Sequence, residues 1–209
     1  MERIYQLKTD HHGVASPLAP GAIEGHFSLQ DVKFAYADNP PALVLPKLDI
    51  RPHERIAILG PIGAGKSTLL RLLSGMYVPQ QGRVLLDDLD LSHINRQVLS
   101  QHIGYLQQDH RLFQGSLREN LLIGLPDPGD DVLLQAMKRT GMDKLVSSHP
   151  KGLERPIAEG GKGLSGGQKQ LLAFTRLVLC NPAVWLLDEP TASMDDEQER
   201  RCLSVLAHE

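Results

Sequence analysis

The sequence predicts an α/β fold, in which a small antiparallel β portion precedes an open sheet and a helical segment is inserted into that sheet. Three observations predict it. The apolar run "RIAIL" at residues 55–59 meets the glycine-rich "GPIGAGKST" at 60–68, and "KSTLLRLLSG" follows at helical spacing, giving strand, loop and helix in succession. Residues 116–180 then read as helices and loops without a convincing strand. The sheet resumes at "AVWLL", residues 183–187, whose unbroken apolar run suits a strand covered on both faces.

The totals permit one sizeable core with a lobe added: 209 residues, 41% hydrophobic, 22% charged, net charge -3. Lys and Arg are spread among Asp and Glu without a basic run, so no nucleic-acid partner is expected. Cys180 and Cys202 lie beside apolar residues and read as reduced, packed thiols, which suits a cytosolic setting. No window reaches the ~18 to 20 continuous apolar residues of a membrane span. The start "MERIYQLKTDHHG" lacks the apolar core of a secretion signal.

Along the chain, residues 1–25 carry "HHGVASPLAPGAIEG" and read as a linker, with folding beginning near His26. "FSLQDVKFAY" (27–36) alternates apolar and polar residues, and "ALVLPKLDI" (42–50) reads as a proline-interrupted edge strand. Gly75 stops the first helix. "RVLLDDLDL" reads as strand and turn, Ser92 is expected to cap a helix running to about His102, and "IGYLQ" is a further strand. Ser116 and Glu119 form a capping box that opens a helix to about Ile123. Asp130 or Asp131 is expected to cap the next, which ends at Gly141, and "DKLVSS" is a short helix before Pro150. A last helix follows Thr191. The division is a linker 1–25 and a domain 26–209, whose core comprises 26–115 and 181–209 around a helical part 116–180.

The chemistry begins in the glycine-rich loop. Gly60, Pro61, Ile62, Gly63, Ala64, Gly65, Lys66 and Ser67 fit GxxxxGK[ST], with Thr68 next, between a strand and a helix. The glycines let backbone N–H groups turn towards phosphate oxygens, the helix start adds about half a positive charge, and Lys66 reaches the outer phosphates. Ser67 suits Mg²⁺, so ATP or GTP binding is expected. "AVWLLDEP" delivers Asp188 and Glu189 to a strand's C-terminal end, where ligands sit in open α/β sheets. Asp188 suits the Mg²⁺ shell through water, and Glu189 suits a base that polarises the attacking water. Gln108, after the strand "IGYLQ", can reach metal or water. In "LSGGQKQ" (164–170) Ser165 can cap a helix running to Asn181 and Pro182, and Gly166 and Gly167 leave N–H groups bare, a second anion site at a helix start.

A phosphate loop, a glutamine at a strand end, "LSGGQ" and "LLDEPTASMD", in this order, resemble the nucleotide-binding domains of ABC ATPases from Phe27 to the end of the chain. The resemblance implies a P-loop NTPase (RecA-like) core and ATP with Mg²⁺ as ligands. It gives Tyr36 the role of stacking on adenine, although alone this residue reads as a core or edge-strand tyrosine. Gln108 becomes the switch-loop glutamine, and Ser193, Met194 and Asp195 the loop through which two such domains communicate. Ser165, Gly166, Gly167 and Gln168 would close over the terminal phosphate of ATP held by a second copy, so an ATP-bound homodimer is implied. "AEGGKG" (158–163) and "LFQGSLREN" look exporter-like, and "PIAEGGKGLSGGQKQLL" is most similar to ATPases of bacterial type I secretion. Those implied partners are a transmembrane domain on the same polypeptide, a secreted protein and export-channel proteins. The implied location is the cytoplasmic side of a bacterial inner membrane.

The family's switch histidine falls beyond position 209, so the resemblance implies that the C-terminal part of the domain, with at least one strand, is missing. Hydrolysis by these 209 residues is then expected to be weaker than by an extended chain. His208 reads as a surface histidine, and His53 in "RPHER" stands where the family mostly has glycine. Other readings are an exporter of lipid, drug or peptide, a soluble ABC ATPase of DNA repair, and a nucleotide-binding subunit that does not hydrolyse. Against the second stands the compact helical insert, without sustained heptads or CxxC pairs. Against the third stand Lys66 and Glu189.

Overall fold

Residues 16–208 are described by a computed structural model, in two compact units. The first runs to Tyr105 and takes up Pro182–Leu186; the second comprises Leu106–Asn181 and the chain from Leu187 onward. Residues 1–15 of the expected linker lie outside the described residues.

In the first unit β1 (Phe27–Phe34) lies between β2 (Leu43–Ile50) and β3 (Gln81–Leu86), both antiparallel to it, and the short β4 (Leu89–Asp90) completes the order β2-β1-β3-β4. Pro46 is tolerated because β2 is the edge. Alternation along β1 buries Phe27, Leu29, Val32 and Phe34, interrupted where the register with β3 shifts between Gln30 and Lys33. Asp31 takes a φ of 49° at this bulge, and Gly82 opposite leaves room for the carbonyls of Gln30 and Asp31. At the β3–β4 hairpin Asp87 and Asp88 both have positive φ, 50° and 63°, as a two-residue turn matched to strand twist requires. The Asp87 carboxylate accepts hydrogen bonds from the backbone N–H groups of Glu24 (2.8 Å), Gly25 (3.1 Å) and His26 (2.8 Å). Leu18 is also held, donating to the His93 carbonyl and accepting from the Asn95 N–H, both at 2.7 Å.

The helix α1 (Lys66–Leu73) buries Leu69, Leu70, Leu72 and Leu73, the stripe its spacing predicts, in one cluster with Phe27, Leu29, Val84, Leu86 and Leu99. It ends at Ser74, with Gly75 left-handed at φ 72°. The helix α2 (Arg96–His102) is capped by Asn95, whose side chain accepts from the Gln97 N–H at 2.8 Å, and not by Ser92. Ser92 is taken by Asp90, to which its hydroxyl donates at 2.6 Å within a 3-10 turn. Next, β5 (Ile103–Leu106) pairs with β8 (Val184–Leu187).

One expected strand is not formed. Residues 55–59 join no sheet among the described residues, and Ile56, Ile58 and Leu59 are exposed. An apolar run becomes a strand only where a neighbour supplies a ladder, and among the described residues β5 and β8 pair only with each other.

The second unit is built from α3 (Leu117–Leu121), α4 (Asp130–Thr140), α5 (Asp143–Ser147), α6 (Gly166–Cys180) and α7 (Asp196–Leu206). It also holds a small ladder where no strand is expected, β6 (Gly115–Ser116) against β7 (Pro156–Ile157), too short to carry a readable alternation. The Ser116 capping box forms in both directions. At α4 the cap position is Gly129, and Asp130 and Asp131 instead occupy the first turn, where their charge complements the helix dipole. Buried Asn120 satisfies its carboxamide on Phe113 and Ser116, and its carbonyl accepts from the Arg176 guanidinium. Leu117, Leu121, Leu133, Met137, Leu172 and Phe174 are fully enclosed. Phe174→Ala is therefore expected to lose about 3–5 kcal/mol of stability, read as a lowered denaturation midpoint. No described helix is long and apolar enough to cross a membrane.

Candidate functional site

The phosphate loop lies wholly in the first unit. Gly63 and Gly65 take φ of 83° and 88°, and a side chain at Gly65 would stand 2.8 Å from the Ala42 carbonyl oxygen, so only glycine fits. With Gly65 in the cap position α1 begins without a side-chain cap, which leaves its first-turn N–H groups for a ligand. Nothing lies within 4 Å of where a Gly63 side chain would stand. Lys66 folds back to donate to the carbonyls of Gly60 (2.8 Å) and Pro61 (3.0 Å), so its charge rests on neutral oxygens of its own loop. Bare N–H groups, a helix start and an ammonium with no anionic partner among the described residues fit a polyphosphate.

Ser67 is half-buried in the first turn of α1, and Thr68 behind it is buried. Ile62 is fully exposed on the loop. The Thr68 hydroxyl lies 3.1 Å from Tyr36 Oη, which also accepts from Arg71 Nη1 at 3.0 Å. The Tyr36 ring stands edge-on to Phe34 (4.9 Å between centroids) and Tyr77 (5.6 Å). Arg71 and Tyr77, absent from the expected site, thus set where this ring stands.

Gln108, Asp188, Glu189 and residues 165–168 belong to the second unit. Asp188 is buried at the end of β8, its N–H donating to the Leu106 carbonyl at 2.9 Å. The Gln108 Nε2 donates to Glu189 Oε2 at 3.0 Å, so the expected base and the glutamine expected in the switch loop are in direct contact. Glu189 has a φ of 51°, a conformation costing about 1–3 kcal/mol for a residue with a side chain. The loop that follows is fastened on several sides. Thr191 donates to Glu199 (2.8 Å), Asp195 caps α7 by accepting from the Gln198 N–H (2.9 Å), and the Cys202 thiol contacts the Met194 sulfur at 3.5 Å. Burial pushes the Cys202 thiol up to about 12, so it is a packing group and no nucleophile.

Ser165 caps α6, accepting from the Gln168 N–H at 3.2 Å, and the Gln168 side chain accepts from the Ser165 N–H at 3.0 Å. The cap is as expected; the reciprocal bond makes it a full capping box. Gly166 and Gly167 form the first turn, reached through Gly160, Gly161 and Gly163, all with positive φ. Gln170, which sequence reasoning passes over, is buried and bonds to both Glu189 and Ser193. A glutamine within the apolar "QLLAFTRLVL" was its only signal.

A glycine-built phosphate loop opening a helix, with an acid pair at a strand end elsewhere in the chain, defines a P-loop nucleoside triphosphatase domain. The profile of the ABC transporter family matches residues 45–192, and the chain belongs to that family as an exporter-type ATPase domain. It is 38% identical over 184 residues to the ATP-dependent lipid A-core flippase of Neisseria meningitidis serogroup B, covering 88% of this chain and 30% of that protein. It is 40% identical over 181 residues to the glutathione/L-cysteine transport system ATP-binding/permease protein CydC of Escherichia coli, covering 86% of this chain and 31% of that protein. The chain thus spans about a third of these curated relatives or less, and 10% of the serine protease/ABC transporter B family protein tagA of Dictyostelium discoideum. Among solved structures, a bacterial Atm1-family ABC exporter with ATP bound aligns over 100% of this chain and 37% of its own, with a TM-score of 0.89 and 31% identity.

Proposed function

We propose that this chain is the ATP-hydrolysing motor of an exporter, working as a head-to-tail pair and joined to a transmembrane domain on the same polypeptide. The observation that carries this reading is that one chain has two helix starts built for anions, α1 behind Gly65 and α6 behind Ser165. Each ATP is held by the phosphate loop of one copy and covered by Ser165, Gly166, Gly167 and Gln168 of the other. Lys66 and the backbone N–H groups at the start of α1 hold the phosphates, and Tyr36 stacks on adenine. By the family's pattern Ser67, Gln108 and Asp188 would hold Mg²⁺, which would supply charge neutralisation on the phosphates. Glu189, oriented by Gln108, polarises the attacking water.

The domain would work on the cytoplasmic side of a bacterial inner membrane. The resemblance of the run "PIAEGGKGLSGGQKQLL" to ATPases of type I secretion favours an unfolded protein as cargo, with export-channel proteins as partners. A second reading, a lipid or small-thiol cargo, draws on relatives named as a lipid A-core flippase and a glutathione/L-cysteine transport protein. Whether unfolded polypeptide, lipid or glutathione raises ATP turnover separates the two.

Gly166→Asp tests the paired site. An aspartate in the first turn suits the helix dipole, and the nearest atoms to a side chain there are those of Ser193 at 3.6 Å, so the fold is expected to persist. Its carboxylate repels a phosphate. Calorimetry should show unchanged ATP affinity while the ATP-induced dimer and turnover disappear; a variant that still dimerises would overturn the paired-site reading.

A further inference from the structure

Gln170 is 3% exposed and spends both ends of its carboxamide on one loop. Its Nε2 donates to the Glu189 carbonyl at 2.8 Å, and its Oε1 accepts from the Ser193 N–H at 2.9 Å. A single side chain on the first turns of α6 therefore clamps both ends of the segment that begins with the proposed base. A second fastening lies beside it. The Ser193 carbonyl oxygen sits where a side chain on Gly167 would stand, 2.6 Å from that position, so the glycine allows loop and helix to close together. No residue but glutamine has this reach with a donor and an acceptor side by side, apart from a protonated glutamate.

The clamp bears on a strained residue. Glu189 keeps a φ of 51° while its carboxylate accepts from Gln108 at 3.0 Å. Released at its carbonyl, residue 189 is free to relax to negative φ, which rotates its carboxylate away from Gln108. We propose that Gln170 is a positioning residue for hydrolysis: it holds the Glu189 backbone in the conformation that aims the carboxylate, using the helix whose start carries the second anion site. The inference rests on the reading of Glu189 as the base. Gln170 itself touches no substrate, so its loss should act on the chemical step and leave nucleotide binding alone.

Gln170→Met keeps length and removes both hydrogen bonds; Gln170→Leu removes both with a shorter apolar side chain. Both are to be compared with wild type in the longest natural polypeptide that contains this chain, measuring ATP turnover against ATP concentration together with Mg-ATP binding by calorimetry. The expected result is a kcat lowered about 10²-fold, the scale of misplacing a reacting group, with KM and binding affinity within a factor of two or so of wild type. Unchanged kcat in both variants would overturn the proposal, as would parallel loss of kcat and nucleotide binding, which would mark Gln170 as a residue of the fold alone. If Gln170→Met does not fold, Gln170→Leu decides by the same criteria, and if neither folds the positioning role is overturned. A wild type that binds ATP without hydrolysing it would instead strike at the reading of Glu189.

Discussion

Lys66→Ala is expected to abolish measurable Mg-ATP binding. Within residues 60–68 Lys66 is the only charged side chain, and its ammonium rests on the Gly60 and Pro61 carbonyls at 2.8 and 3.0 Å. On nucleotide binding those ammonium hydrogen bonds pass from neutral carbonyls to phosphate oxygens, where both partners are charged and each is worth about 1.5–3 kcal/mol. Two such bonds correspond to a loss of at least about a hundredfold in affinity, and the half charge at the α1 start does not make up for it. The helix itself should stay folded, because the substitution leaves the buried Leu69, Leu70, Leu72 and Leu73 in place and alanine keeps the backbone hydrogen bonds of the first turn. An unchanged unfolding midpoint with no binding heat is the predicted pair of results. Undiminished affinity would overturn the phosphate-loop assignment.

Glu189→Gln is expected to separate binding from chemistry. The substitution conserves shape, leaves an oxygen for the Gln108 Nε2 and retains the backbone carbonyl that Gln170 holds. It removes the negative charge that draws a proton from water. A general base contributes about 10² to 10⁴ in rate, so turnover should fall by that range while Mg-ATP affinity persists. With hydrolysis stalled, the paired form should accumulate and elute earlier from a sizing column. A variant that turns over ATP at the wild-type rate as a monomer would sink the base assignment.

What the residues reveal in advance depends on how far away their partners are. The phosphate loop, the Ser116 and Ser165 caps and the α1 stripe are legible because every interaction spans a few positions. Helix starts become ambiguous where several polar residues compete. Ser92 and Asn95 are both good caps, and only the path of the chain, with Ser92 already bound to Asp90, selects Asn95. Similarly, Gly129 takes the cap position that Asp130 or Asp131 could have held. Residues 55–59 have strand composition, yet pairing depends on neighbours far along the chain, which composition does not encode. At the candidate site the residue types and order are legible, whereas the contact of Gln108 with Glu189 and the bonds of Gln170 span 81, 19 and 23 positions. No local pattern announces them.

The backbone at position 189 also bears on how such a chain can be altered. At a φ of 51° stability alone would favour glycine or asparagine, and yet the position holds the glutamate on which turnover is proposed to depend. Selection for thermal robustness and selection for work therefore pull in opposite directions at this one residue. A library screened only for heat resistance should drift towards small residues there, yielding sturdier chains that grip nucleotide and do nothing with it.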